Sequence, residues 1–241
     1  MSTYVIADIH GEYDFFMKML EKLNLQEQDH LYILGDVLDR GPAPLKTLLK
    51  IMDMPNVTCM LGNHELMAVK CLEFLNREIT EKTLAELDLD FLEGILVWAR
   101  YNGGQMTMNE FMGLEPETRQ KIIDFIKELT VYQELTVGGE DYLLVHAGLG
   151  HFRPDKDLDD YTLEELVWER PDYNKKYFRK KYVVTGHTPT QTIEDNPRPG
   201  YIFRKNNHIV IDCGCHWDDG RLGAICLDTG EEIYVERDEL Q

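Results

Sequence analysis

An α/β fold is what this sequence predicts, on three observations. Up to Leu61, short apolar runs alternate with amphipathic helical stretches, the rhythm of parallel strands joined by right-handed crossovers. Each apolar run stops at a polar cluster, as strands of open α/β sheets do where they present their chemistry. The length, 241 residues, suits one large domain with a sizeable core.

The elements follow in order. Residues 3–7 form the first expected strand and deliver Asp8-Ile9-His10-Gly11, a carboxylate and an imidazole two residues apart that can hold one cation together. Phe15, Phe16, Met19, Leu20 and Leu23 recur at helical spacing, so residues 12–23 make an amphipathic helix with the aromatic pair in the core. The strand at 30–34 runs into Gly35-Asp36-Val37-Leu38-Asp39-Arg40-Gly41, two carboxylates and a guanidinium on one turn. Asp36 and Asp39 suit hard cations, and the planar fork of Arg40 suits phosphate. A helix expected from Pro42 carries Leu45, Leu48, Leu49 and Met52 inward, and the strand at 57–61 ends in Gly62-Asn63-His64-Glu65.

From 66 to 130 the pattern is helical and is expected to form a cap, with Leu66, Val69, Leu72, Leu89, Leu92, Ile95, Leu96, Ile122, Ile123 and Ile126 as its apolar positions. Its period breaks at 98–107, where Gly103-Gly104 marks either a tight turn or a backbone brought close to something else. Residues 131–137 and 142–145 flank Gly138-Gly139, a hairpin signal, and the second strand runs into His146-Ala147-Gly148. Val183-Val184-Thr185-Gly186-His187 repeats that grammar. Further strands are expected at 209–212, 222–227 and 232–235.

Composition narrows the function. With 43% hydrophobic and 29% charged residues the chain is neither disordered nor fibrous. A net charge of −19 argues against nucleic acid and anionic membrane as partners, since both demand a positive field. Six basic residues nevertheless cluster at Arg170, Lys175, Lys176, Arg179, Lys180 and Lys181, either as a rim that guides an anionic substrate or as a solvated loop neutralised by the acidic stretch 155–165. Five cysteines without paired CxxC units exclude a zinc knuckle or a disulfide framework. Cys213-Gly214-Cys215 is left as a redox pair or, more plainly, two small residues at a strand end. No apolar run reaches the length of a spanning helix and the N-terminus lacks a basic start, so the chain reads as cytoplasmic.

Collected from the strand ends, Asp8, His10, Asp36, Asn63, His146 and His187 are a mixed oxygen and imidazole set without thiolates. That set suits manganese, iron or zinc rather than calcium, and it suffices for two cations if Asp36, on the middle strand end, bridges them. Such a pair can lower the pKa of a shared water and hold phosphate oxygens for in-line attack.

The five blocks Asp8-x-His10-Gly11, Gly35-Asp36-x-x-Asp39-Arg40-Gly41, Gly62-Asn63-His64-Glu65, His146-Ala147-Gly148 and Gly186-His187 occur in one order and together resemble the signature of the phosphoprotein phosphatase family of metallophosphoesterases, in its bacterial and phage branch. The resemblance implies a sandwich of mixed sheets flanked by helices in a single calcineurin-like domain over the whole chain. It implies that Asp8, His10 and Asp36 hold one metal while Asp36, Asn63, His146 and His187 hold the other. Arg40 and Arg170 would bind phosphate, and His64, steered by Asp39, would protonate the leaving group. Chemistry agrees, since a serine alkoxide leaves poorly and His64 adjoins the ligand Asn63. Two departures stand out: Ala7 occupies a place usually held by glycine, and Arg170 rests on a Trp-x-Arg match. The expected activity is a metal-dependent protein serine/threonine phosphatase acting on phosphorylated protein. The alternatives are a symmetrical dinucleoside tetraphosphate hydrolase, with a dinucleoside polyphosphate as substrate, and a non-catalytic metal-binding module.

Overall fold

The computed structural model describes residues 1–78, 80, 81, 83 and 87–240. Its first sheet is built from β1 (Thr3–Ile6), β2 (His30–Ile33), β3 (Val57–Cys59), β9 (Leu222–Cys226) and β10 (Glu232–Val235), in the order β10-β9-β1-β2-β3. The second contains β4 (Tyr132–Val137), β5 (Glu140–Val145), β6 (Lys181–Thr185), β7 (Phe203–Lys205) and β8 (His208–Val210), in the order β4-β5-β6-β8-β7. The two centres, β1-β2-β3 and β5-β6-β8, are parallel, and antiparallel strands complete each sheet. This is the mixed-sheet α/β sandwich that the sequence predicts.

Helices α1 (Tyr13–Leu23), α2 (Pro44–Met52) and α3 (Asn63–Leu75) alternate with the first three strands. After them come α4 (Leu89–Leu96), a π turn at Val97–Tyr101, α5 (Gln105–Met112), α6 (Pro116–Glu128) and the short α7 (Leu163–Val167). Period-two alternation separates the layers. Val5 and Ala7 face the second sheet, meeting Leu144, Val184 and Ile209, whereas Ile6 faces the helices and joins Phe15, Phe16 and Met19. In the second sheet Leu144 points inward, while Leu143 and Val145 pack outward on Leu166 and Val167. Phe15 and Phe16 are fully buried, as core residues.

Several expectations shift. Helix α2 starts at Pro44 rather than Pro42 because Gly41 and Ala43 still hydrogen-bond back to the first strand-end turn, through His10 and Gly11. Strand β3 stops at Cys59, and Met60 makes only an isolated bridge to Thr130. Strand β7, three residues, and helix α7, five, are too short for a period to show in the sequence pattern. The expected cap, 66–130, includes Ile79, Lys82, Leu84, Ala85 and Glu86, which lie outside the described residues. Within it Leu72, Ile122, Ile123 and Ile126 are buried as expected, but Leu89, Leu92 and Leu96 are exposed. Helix α4 instead turns Phe91 and Ile95 toward α3. The Gly138-Gly139 hairpin forms as read, with both glycines at positive φ. All five cysteines are free and buried, so Cys213 and Cys215 are small packing residues. No helix among the described residues is long and apolar enough to cross a membrane.

Gly35 shows how tightly the strand ends are packed: its φ is +88°, and a Cβ there would lie 2.4 Å from the Gly62 amide nitrogen. Gly35→Ala therefore combines a left-handed backbone with a backbone clash and is expected to cost about 2 kcal/mol or more of stability. Thermal unfolding measures it, and a melting temperature equal to the parent's would contradict this packing.

Candidate metal centre and phosphate site

The parallel strands of both sheets deliver their polar ends to one edge. Asp8 and His10 follow β1, Asp36 to Arg40 follow β2, Asn63 and His64 open α3 after β3, His146 follows β5, and His187 follows β6. Asp8, His10, Asp36, Asn63, His64 and His146 are buried, while the guanidiniums of Arg40 and Arg170 are exposed at the mouth. A cavity of about 850 Å³ opens onto this cluster and is lined by Asp8, Asp36, Asn63, His187, Arg40 and Arg170 among others. Of the ten described non-glycine residues at positive φ, six are Asp8, His10, Asp36, Asp39, Arg40 and His187, at 49° to 70°. Backbone strain of this kind persists where the surroundings over-determine the geometry, and here it coincides with the strand-end turns.

Donors and acceptors around Asp36 show what is missing from a protein-only account. His10 Nδ1 lies 3.0 Å from the Leu38 carbonyl and His146 Nδ1 lies 2.6 Å from the Leu34 carbonyl. Carbonyls only accept, so both rings carry their proton on Nδ1 and offer a lone pair at Nε2. Burial first, then neighbouring cations, hold His10 well below its ordinary pKa; burial also lowers His146, and pushes His187 down to about 3. All three are neutral imidazoles. The free Nε2 of His146 then faces Asn63 Oδ1 at 2.9 Å and Asp36 Oδ1 at 3.4 Å, while His10 Nε2 faces Asp36 Oδ2 at 3.6 Å. Lone pairs aimed at one another in a buried space are a liability that a cation removes.

Two donor groups meet that test: His10, Asp36 and His64, and Asp36, His146 and His187, each with ligand atoms within 4.8 Å of one another. Asp36 belongs to both. Asn63 Oδ1 sits 2.9 Å from His187 Nδ1 as well, placing it with the second group. Asp8 lies beside the clusters, with both carboxylate oxygens accepting from the His187 amide at 3.0 Å. Burial, then the Asp212 and Asp36 carboxylates, push Asp8 well above its ordinary pKa, and burial pushes Asp212 up to about 7. Crowded buried carboxylates of this kind also call for cations. Ala7 is accommodated because the residue facing it, Gly186, has no side chain: a Cβ there would sit 2.7 Å from that of Ala7.

Next to the donors, His64 Nδ1 donates to Asp39 Oδ2 at 2.7 Å, and its Nε2 accepts from Arg40 Nη2 at 3.0 Å. Burial opposes the charged imidazolium, but Asp36 and Asp39 outweigh it and raise the His64 pKa. Asp39 is itself pinned, accepting from Trp98 Nε1 at 2.8 Å and from Thr107 Oγ1 at 2.5 Å. The paired glycines explain how that happens. The Gly103 carbonyl accepts from the Arg40 amide at 3.1 Å, and a Cβ on Gly103 would lie 2.8 Å from Arg40. The 98–107 break is thus a backbone brought close to Arg40.

Arg170 lines the cavity and donates from Nε to Thr188 Oγ1 at 3.2 Å. The basic stretch is partly neutralised, Lys175 by Asp172 at 3.0 Å and Lys181 by Glu134, so its partners are not the acidic stretch that the sequence offered.

Five residues were given no task in the sequence reading. Asp212, at the end of β8, repeats the strand-end grammar and was legible. Trp98 and Thr107 were bounded by the glycine break but gave no sign of their partner. His216 accepts from Arg40 Nη1 at 3.1 Å and stacks edge-on against His10, with nothing in the local sequence to announce it. Glu65 was quoted in its motif without a task. Its buried carboxylate accepts four backbone N–H groups, those of Asp36 (2.8 Å) and Gly62 (3.1 Å) on Oε2 and those of Val37 (2.9 Å) and Leu38 (3.0 Å) on Oε1. The capping-box spacing from Gly62 was the available signal.

Fold and donor set together define a metal-dependent phosphoesterase. The calcineurin-like phosphoesterase family matches residues 1–234, and this chain belongs to it. It is 40% identical to the symmetrical bis(5'-nucleosyl)-tetraphosphatase of Baumannia cicadellinicola subsp. Homalodisca coagulata, over 98% of this chain and 92% of that one. It is 25% identical to the enzyme of the same name from Dechloromonas aromatica (strain RCB), over 98% and 96%. A crystal structure described as "a putative diadenosine tetraphosphatase" superposes with a TM-score of 0.65 at 16% identity, covering 98% of this chain and 93% of that one. A Saccharomyces cerevisiae protein serine/threonine phosphatase superposes at 0.54 with 13% identity, over 98% and 79%, and at that identity shares the fold alone.

These relatives correct the expected activity. A protein serine/threonine phosphatase acting on phosphoprotein does not stand, because the relatives matching nearly end to end are tetraphosphatases. The motifs behind that expectation all lie in the metal and phosphate site, and such a site grips a phosphoryl group whatever is attached to it.

Glu65→Gln keeps the side-chain shape, yet whichever oxygen becomes the amide, two backbone donors lose their acceptor. At roughly 1–3 kcal/mol for each buried group left unpaired, the variant is expected to lose about 2 kcal/mol or more and to bind divalent cations more weakly. Calorimetric titration with manganese alongside thermal melts checks both, and parental values in the two would rule out the clamp.

Proposed function

We propose that this chain hydrolyses dinucleoside tetraphosphates symmetrically, breaking the central phosphoanhydride to release two nucleoside diphosphates. The observation that carries this is the 40% identity to a symmetrical bis(5'-nucleosyl)-tetraphosphatase over nearly the full length of both chains. The activity resides in one calcineurin-like domain in which the described helices between α3 and β4 cap the site.

The metal ligands are Asp8, His10 and Asp36 at one position and Asp36, Asn63, His146 and His187 at the other, with Asp36 shared. Its membership of both donor groups supports the sharing, while Asp8 stands beside the group formed by His10, Asp36 and His64. Manganese is the proposed metal, a mixed carboxylate and imidazole set being one it accepts. When bound, the two cations acidify a water and draw phosphate oxygens toward it.

The chain's own groups do the rest. His10 and His146 are locked in the ligating tautomer by carbonyls, so they meet the cations without reorganising. Arg40 and Arg170, exposed at the mouth, clamp nonbridging phosphate oxygens, and Arg40 is aimed by His216 and the Gly103 carbonyl. His64 holds a proton at Nε2 for the departing oxygen once Arg40 turns to the phosphate. Asp39 keeps that ring oriented through Nδ1.

The change of substrate alters the load on His64. A nucleoside diphosphate departs as a phosphate stable near neutral pH, so it needs a proton far less than an alkoxide does. His64→Asn is expected to slow diadenosine tetraphosphate hydrolysis by only ~10-fold, against the roughly 10²–10⁴ that general acid catalysis contributes where the leaving group is poor, as with the alkoxide of an alkyl phosphate substrate. Equal losses on the two substrate types would remove His64 from that role.

Incubation with diadenosine tetraphosphate and manganese is expected to yield ADP as the sole nucleotide product by chromatography. ATP with AMP would refute symmetrical cleavage, and no turnover would refute the proposed activity.

A further inference from the structure

A second cavity, of about 490 Å³, lies between α3 and α4, with Leu66, Met67 and Lys70 on one side and Phe91, Gly94 and Ile95 on the other. Trp168 lines this groove and also the metal cavity, so its indole is a wall common to both. The groove starts one turn beyond the metal site, since Met67 follows Asn63 by four residues on the same helix face. Lys70 lies nearly two turns along α3, roughly 10 Å from Asn63 at 1.5 Å per residue. Its ammonium has no ion pair or hydrogen bond with the described residues.

We infer that this groove takes the nucleobase of one half of the dinucleoside, stacked against Trp168 and Phe91. The inference rests on the tetraphosphatase reading. A symmetrical substrate carries an identical base at each end, each a diphosphate and a ribose away from the bond that breaks, so the site must receive two bases. The metal cavity provides for one, extending past Arg170 to Tyr173, Ile193 and Phe203. The groove provides for the other. Aromatic and aliphatic walls suit a flat base, since every base presents a π face. Lys70 gives the adjoining phosphate a cation in a chain of net charge −19, and Asp90, also lining the groove, gives an exocyclic amine an acceptor. Gly94 keeps the floor open, because a Cβ there would meet nothing within 4 Å.

The same openness makes Gly94→Phe a test, as it fills the groove from a solvent-facing helix position without disturbing packing. Two constants are compared across the parent, Gly94→Phe and Phe91→Ala in the manganese enzyme. One is KM for diadenosine tetraphosphate, and the other is the competitive Ki of inorganic tetraphosphate, which has the phosphate chain without the bases. Each variant is expected to raise KM about 10-fold more than Ki, the size of one lost base-stacking contact. If the parent hydrolyses the dinucleoside and both variants keep the parental ratio of KM to Ki, the inference is overturned while the proposed activity stands. If the parent does not hydrolyse it, the activity falls and the inference with it.

Discussion

The Glu65 carboxylate, caught between four backbone N–H groups, is the contact on which the site geometry rests. Those donors come from two different strand-end turns, one after β2 and one after β3. By accepting from both, a single buried side chain sets where Asp36, Asp39 and Arg40 stand relative to Asn63 and His64. Burial and the nearby Asp36 push Glu65 up to about 7, while the amides of Leu38 and Asp36 pull it back down. Charged, it satisfies donors that no secondary structure pairs, which is why the turns can depart from strand geometry so abruptly. Gly35 and Gly62 allow the approach, since neither turn has room for a Cβ at the point of contact.

Around that clamp the centre is organised by what it lacks without metal. Neutral histidines, an amide oxygen and carboxylates converge, and because the Nδ1–H groups of His10 and His146 donate to backbone carbonyls, neither ring has a proton left to mediate between them. The arrangement is unfavourable as a protein interior and favourable as a ligand shell. The same logic reaches the strongly negative net charge. A chain of −19 presents an unfavourable field to any anion, and Arg40 and Arg170 at the cavity mouth counter it locally.

Arg40 joins the metal edge to the helical region. Gly103 abuts its backbone, His216 and His64 receive its guanidinium, and Trp98 and Thr107 hold the Asp39 that precedes it. Helices after α3 therefore do two things. They fix Arg40 and the neighbouring His64, and with α3 they form the groove that Trp168 shares with the cavity at the donor cluster.

How much of this was legible in the sequence follows from where each signal lives. Strand periodicity and strand-end polar residues are local, so β1 to β3, their helices and all ten candidate site residues could be read before any coordinates. That Asp36 belongs to both donor groups was legible because chain order alone puts it on the middle of the first three strands. What stayed hidden depends on contacts between distant segments. Nothing near Trp98 or Thr107 says that they meet Asp39, and nothing near His216 says that it meets Arg40. Helix α4 shows the converse: its leucines have helical spacing, yet Leu89, Leu92 and Leu96 remain exposed because burial is decided by the neighbour a face finds, not by its period. Substrate class was misread because the motifs read from the sequence all lie in the donor cluster and say nothing of what the phosphoryl group is attached to; the nearly full-length relatives corrected it. The sequence by itself determined the fold class and phosphoester chemistry and named the candidate metal donors, all of which sit in short contiguous motifs. Only the tertiary structure decided how the two sheet edges converge on Asp36, how one glutamate ties their turns, and what shape of cavity lies beyond the phosphate, because those are properties of distances between residues far apart in the chain.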